Sequence, residues 1–249
     1  MGSRATAGAG EFATKRFRER RRAWRRRIWW LLPPFAAIQI VIPVGFGALL
    51  GPEHLGFYWG LGIGVAFAVT AVLSDSPPHH IERWRQGAEG EKATAKALRP
   101  LVRDGWALLN DLDTGRGNID HLLIGPPGVF LLDSKNLSGV LAVKAGVLSI
   151  SCREDPDDTY KDFRLARQMR DRVADLEEQL LRCGVEISVQ PVVVLWGCFE
   201  QRSLLSKGVA WVQGKELHRA LRGRPTRLGT EEIERAASAV VDVMTRRAR

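Results

Sequence analysis

Two uncharged stretches mark the first third of the chain: Ile28 to Leu50 is 23 residues without a formal charge, and Leu55 to Leu73 is another 19. A helix needs roughly 20 apolar residues to cross the hydrocarbon core of a bilayer, so each stretch predicts a transmembrane helix. The connector Gly51-Pro-Glu-His54 leaves room only for a tight hairpin between them. From about Ile81 the pattern changes to short apolar runs and amphipathic stretches, as expected of a mixed α/β domain. Helical spacing predicts a helix over Ala88 to Leu101, and Trp106 to Leu112 reads as a first strand. Two further strands flank Gly125-Pro-Pro-Gly128, and a small hairpin follows at Val140 to Val143 and Val147 to Ile150. A long helix is expected over Thr159 to Arg182, with Ala166, Met169, Val173, Leu176 and Leu180 as its apolar stripe. Val192 to Trp196 reads as a buried strand, Val209 to Val212 as another, and Glu231 to Arg247 as a closing helix.

Charge sharpens the division. The chain carries a net charge of +9, but residues 1–27 hold ten Lys/Arg against two Asp/Glu and so account for eight of those charges. The remainder is nearly neutral, and the basic arm belongs with the spans that follow it. Arginines before the first span, with Arg83 and Arg85 after the second, place both ends on the cytoplasmic side of a bacterial-type inner membrane. The arm then lies on anionic lipid headgroups, and Trp24, Trp29, Trp30 and Trp59 suit an interfacial belt. Gly56, Gly60 and Gly64 recur every fourth residue; packing on the first span and pairing in a homodimer both fit that spacing. The expected organisation is a basic arm (1–27), two spans (28–50 and 55–73), a juxtamembrane linker (74–86) and a soluble domain (87–249). Cys152, Cys183 and Cys198 are widely spaced and lack a Cys-x-x-Cys pair, which argues against a zinc ribbon or a disulfide framework.

The chemistry concentrates in Asn118 to Lys135. A strand register symmetric about Pro126 and Pro127 sets Asp120 opposite Asp133, and facing residues of an antiparallel pair have Cβ atoms only ~5 Å apart. Two carboxylates that close repel, so one must hold a proton or a cation must sit between them. Lys135 follows two residues after Asp133 and shares its face, whereas His121 points to the opposite face and reads as a packed histidine. On the first helix, Glu91 lies with Ala95, Leu98 and Val102, the side expected to meet the sheet, while Glu89 points into solvent. A carboxylate on an apolar face needs a partner, such as a metal ion. Two acids and a lysine on one patch of sheet describe a metal-dependent site for cutting phosphodiesters; the alternative is an ordinary salt-bridge cluster at a strand end.

These residues resemble the nuclease-related domain family, a branch of the PD-(D/E)xK nuclease-like superfamily. The pieces that match are Gly87-Ala-Glu-Gly-Glu91, the strand from Gly105-Trp106 to Asp111, and Asn118-Ile-Asp120-His. They continue with Gly125-Pro-Pro-Gly-Val-Phe130 and Asp133-Ser-Lys135-Asn-Leu-Ser-Gly139. Asp133 stands where the family commonly shows glutamate. The resemblance covers about residues 85 to 200 and implies a restriction-endonuclease-like core, a central mixed sheet flanked by helices, here preceded by the transmembrane hairpin. It implies that Glu91, Asp120 and Asp133, with the Ser134 carbonyl, bind Mg²⁺ or Mn²⁺, that Lys135 orients the attacking water or neutralises the phosphate, and that Gln168 is an auxiliary residue. The expected activity is hydrolysis of phosphodiester bonds, in DNA rather than RNA. A binding module without catalysis, for nucleic acid or a protein at the membrane, and a purely structural scaffold are the alternatives.

Overall fold

The computed structural model describes residues 11–50, 55–75, 79–113, 118–152 and 158–247. They fall into two compact units, one covering Thr14–Arg85 and the other containing Gln86–Arg249. In the first unit a single helix α1, Glu11–Leu50, joins the basic arm to the first apolar stretch. Arginine, glutamate and alanine favour helix strongly enough to extend it through the arm. Helix α2 covers Leu55–Asp75 and α3 His79–Arg103, so most of the expected linker at 74–86 is helical. The Arg20 guanidinium lies 5.3 Å from the Trp84 ring centre, a cation–π contact within this unit.

Among the described residues no helix is long and apolar enough to cross a membrane. The expected turn at 51–54 and many side chains of both apolar stretches lie outside the described residues. Of the side chains that are described, Phe57, Leu61, Ile63, Phe67 and Val72 on α2 are exposed. A Cβ added at Gly56, Gly60 or Gly64 meets nothing within 4 Å, so neither packing nor pairing engages that stripe here.

The second unit is built on a mixed sheet. Its strands are β1 Ala107–Asp113, β2 Asn118–Gly125, β3 Gly128–Lys144, β4 Val147–Ser151, β5 Thr159–Asp162, β6 Val189–Phe199, β7 Ser203–Ser206 and β8 Val209–Gln213. The order is β1-β2-β3-β6-β8-β7, with β4 and β5 added beside the distal half of β3. The β3–β6 and β6–β8 pairs are parallel and the others antiparallel. Helix α4, Leu165–Arg182, and α6, Thr230–Arg247, contribute Met169, Leu176 and Val240 to the core on one face. On the other face α3 contributes Leu98 and Leu101, and α5, Leu217–Arg222, contributes Leu217 and Leu221. Alternation along β3 sends Val129 and Leu131 to the first core and Phe130 and Leu132 to the second.

Several boundaries differ from the sequence pattern. The long helix begins at Leu165, because Thr159–Asp162 pairs with β4 and the Asp162 carboxylate accepts from the N–H groups of Arg164 and Leu165, ending the strand and starting the helix. The run Val140–Val143 is the distal half of β3, set off by a register shift between Asn136 and Val140 beside Gly139, whose φ is +109°. Strand β7 and helix α5 are additions that the pattern did not indicate. On α3 the buried residues are Ala88, Thr94, Leu98 and Leu101, with Glu91 half-buried at their flank. Thr94 ties this helix to the sheet, accepting from Ser134 Oγ at 2.7 Å and from Trp196 Nε1 at 2.8 Å.

The helix comes closest at Gly90, where an added Cβ would stand 2.9 Å from Asn136 Cβ. Asn136 Nδ2 also donates to the Gln86 carbonyl at 3.1 Å, holding the first turns against β3. Gly90→Val is therefore expected to destabilise the fold by about 2 kcal/mol through overpacking. Urea unfolding of the full chain would show this as a lower midpoint; an unchanged midpoint would mean α3 is not seated on β3 at this position.

Candidate active site

The β2–β3 hairpin has the register symmetric about Pro126 and Pro127: Gly125 pairs with Gly128, and the ladder runs to His121 opposite Leu132. The next facing positions are Asp120 and Asp133. The turn is fixed from outside, since the Pro126 carbonyl accepts from the N–H groups of Arg227 at 2.6 Å and Leu228 at 2.8 Å. Asp120 Oδ2 accepts from the Ser134 N–H at 3.1 Å, which holds it across the strand pair.

Asp133 is buried, 3 % exposed. Lys135 Nζ stands 2.7 Å from its Oδ2, and Arg172 of α4 donates to its Oδ1 at 2.9 Å. The Lys135 contact is one of charge: Oδ2 accepts no aligned hydrogen bond and keeps lone-pair capacity. Lys135 is pulled down by burial but pushed up more by Asp133 and Asp120, so it stays firmly protonated. The salt-bridge alternative and the acid–acid–lysine grouping are therefore both present in one cluster.

Glu91 reaches this cluster from α3. Burial, then the charges of Asp120, Asp111 and Asp133, raise its carboxyl from 4.5 to about 8 against the pull of Lys135. Burial and Asp133 raise Asp120 from 3.8 to about 7, opposed by the Ser134 N–H, Lys135 and Arg172. The acids crowd one another as the register requires, and two of them hold protons near neutrality. His121 is fully buried on the α3 face, with Nδ1 2.7 Å from Asn110 Oδ1. Burial lowers it to about 4, so it is a neutral packed histidine.

Sequence reasoning did not assign Asp111 or Arg172 to the site. Asp111 lies between the Asn110–His121 and Leu112–Ile119 pairs, across from Asp120, with φ at +50° and Oδ1 accepting from Asn118 Nδ2 at 3.1 Å. Its place depends on the offset of β1 against β2, which no short turn motif announces. Arg172 did carry a signal, standing one helical turn after Gln168 and off the apolar stripe. Gln168 itself is exposed and is not brought to the acids; Arg172 is the α4 residue that touches them. Glu89 is exposed.

Oxygen donors of this kind suit a hard divalent cation, and Asp133 Oδ2 retains capacity for one. As they stand, however, no three His, Cys, Asp or Glu side chains among the described residues are grouped closely enough to hold an ion.

The mixed sheet flanked by helices, with acids from β2, β3 and α3 meeting beside a lysine, is a nuclease-like core. Residues 86–196 match the family model of the nuclease-related domain, which points to a nuclease-like function. No curated protein and no solved structure matches the chain.

Both raised carboxyls give the folded state extra protons, so the stability they supply is complete below their unfolded values, 4.5 and 3.8, and is lost as pH rises through about 8 and about 7. His121 has the opposite sign: its contribution is complete above 6.5 and lost as pH falls through about 4. In EDTA, the melting temperature is therefore expected to fall as pH rises from about 5 to about 8, and Glu91→Gln is expected to flatten the decline. A wild-type melting temperature that stays level across that window would contradict this account of the acids.

Proposed function

We propose that the chain is a membrane-anchored nuclease that hydrolyses phosphodiester bonds with Mg²⁺ or Mn²⁺. The observation that carries the reading is the grouping of Glu91, Asp120, Asp133 and Lys135 inside the stretch similar to nuclease-related domains. An isolated Asp-x-Lys would carry little weight; the same motif beside two further acids from separate elements is harder to explain as surface charge. Glu91, Asp120 and Asp133 would hold the ion. When bound, the ion would lower the pKa of a coordinated water and offset charge growing on the phosphate. Lys135, protonated and fixed beside Asp133, would orient that water or neutralise a phosphoryl oxygen. Ser134 has a separate part: its N–H holds the Asp120 carboxylate in place, and its hydroxyl keeps α3 docked through Thr94. DNA is proposed ahead of RNA on the family resemblance alone.

The anchor rests on the two apolar stretches and on the exposure of Phe57, Leu61, Ile63, Phe67 and Val72 along α2, a surface that water does not favour. The basic arm would meet anionic headgroups and place the nuclease-like unit on the cytoplasmic side. One observation favours a second reading, a binding module without catalysis: Asp133 already has both oxygens beside cations, and the acids are not spaced to grip an ion.

Full-length protein in detergent, incubated with supercoiled plasmid and with single-stranded DNA, is expected to cut in Mg²⁺ or Mn²⁺ and not in EDTA. Asp120→Ala is expected to lose at least about a hundredfold of that rate, as removal of an electrostatic catalytic group does. Salt-sensitive DNA retention without cleavage in any metal would select the binding module. Expressed protein should also pellet with membranes and resist extraction at alkaline pH; release by carbonate would remove the anchor from the proposal.

A further inference from the structure

Asp133 meets two counter-charges where one would neutralise it. Lys135 rides on the same strand and lies against Oδ2, whereas Arg172 comes from α4 and takes Oδ1. The Arg172 side chain is 46 % exposed, and the Asp133 side chain is 4 % exposed. This asymmetry decides which partner can leave. Asp133 cannot move without breaking the β3 ladder, and Lys135 is tethered two residues away on that ladder. The guanidinium of Arg172 can swing into water and be hydrated there, and half-exposed ion pairs are only weakly held.

A divalent ion at Asp133 needs at least one of the two oxygens, and it would repel a guanidinium fixed at the other. Arg172 therefore accounts for the absence of a preformed ion site among the described residues: the cation place on Asp133 is already taken. We propose that Arg172 is the resident cation of the acid cluster, held on Asp133 Oδ1 until a divalent ion displaces it, and that the released guanidinium then grips a phosphate of the substrate. A guanidinium pairs with phosphate oxygens through two parallel N–H donors, so displacement by the ion would couple metal loading to substrate capture. The proposal rests on the reading of Glu91, Asp120 and Asp133 as the ion-binding acids.

The test uses full-length protein in detergent and Mn²⁺ alone, with binding followed by loss of the free-ion electron paramagnetic resonance signal. Arg172→Gln, which removes the competing charge, is expected to bind Mn²⁺ about fivefold more tightly than wild type, the scale of a half-exposed ion pair. The rise in melting temperature on adding Mn²⁺ should be larger in the variant as well, because a tighter ligand stabilises the folded state more. DNA cleavage by the same variant should be slower despite the tighter ion. Arg172→Lys keeps the charge and should bind Mn²⁺ as wild type does; tightening there too would assign the gain to shape and overturn competition. Equal or weaker Mn²⁺ binding by Arg172→Gln, with wild type binding normally, would overturn this proposal and leave the nuclease reading standing. Failure of wild type and variant alike to bind Mn²⁺ would overturn both.

Discussion

Two carboxylates held across one strand pair are the constraint to which the rest of the candidate site responds. The Pro126-Pro127 turn and its symmetric ladder leave Asp120 and Asp133 no choice of position. Separating them would require a register slip, and a slip of one residue would turn every apolar side chain of the hairpin to the wrong core. The hydrophobic effect on both faces of the sheet therefore enforces the electrostatic crowding. What surrounds the pair relieves it: the Ser134 N–H on Asp120, Lys135 and Arg172 on Asp133, and protons retained by Asp120 and Glu91 near neutrality.

The cluster also depends on both layers of helix. Successive residues of β3 face opposite ways, so Asp133 meets Arg172 from α4 while Ser134 meets Thr94 from α3. The hydroxyl network of Ser134, Thr94 and Trp196 seats α3 against the sheet, and Gly90 and Asn136 set how closely it approaches. Glu91 sits one residue beyond that contact. Its distance from the aspartates is thus set by a backbone approach that tolerates no Cβ.

Burying three acids together is costly, and folds retain such arrangements where chemistry requires them. In the metal-free protein the cost is held down by protons and by two cationic side chains. A divalent ion would replace some of these, which is why occupancy of Asp133 by Arg172 bears on function as well as stability.

The sequence by itself determined the elements whose signals are local. The hairpin register followed from its turn, the face shared by Asp133 and Lys135 from strand alternation, and the choice of Glu91 over Glu89 from helical spacing. The start of α4 was misplaced because Asp162 ends a strand that exists only through pairing with β4. Strand β7 and helix α5 escaped notice because they are short and take their stability from neighbours distant in the chain. Only the tertiary structure put Asp111 across from Asp120, chose Arg172 over Gln168, and gave Asp133 two cations. Those outcomes depend on how far α4 and β1 slide along the sheet before packing stops them. That distance is fixed by the volume of many buried side chains at once, and no short stretch of sequence encodes it.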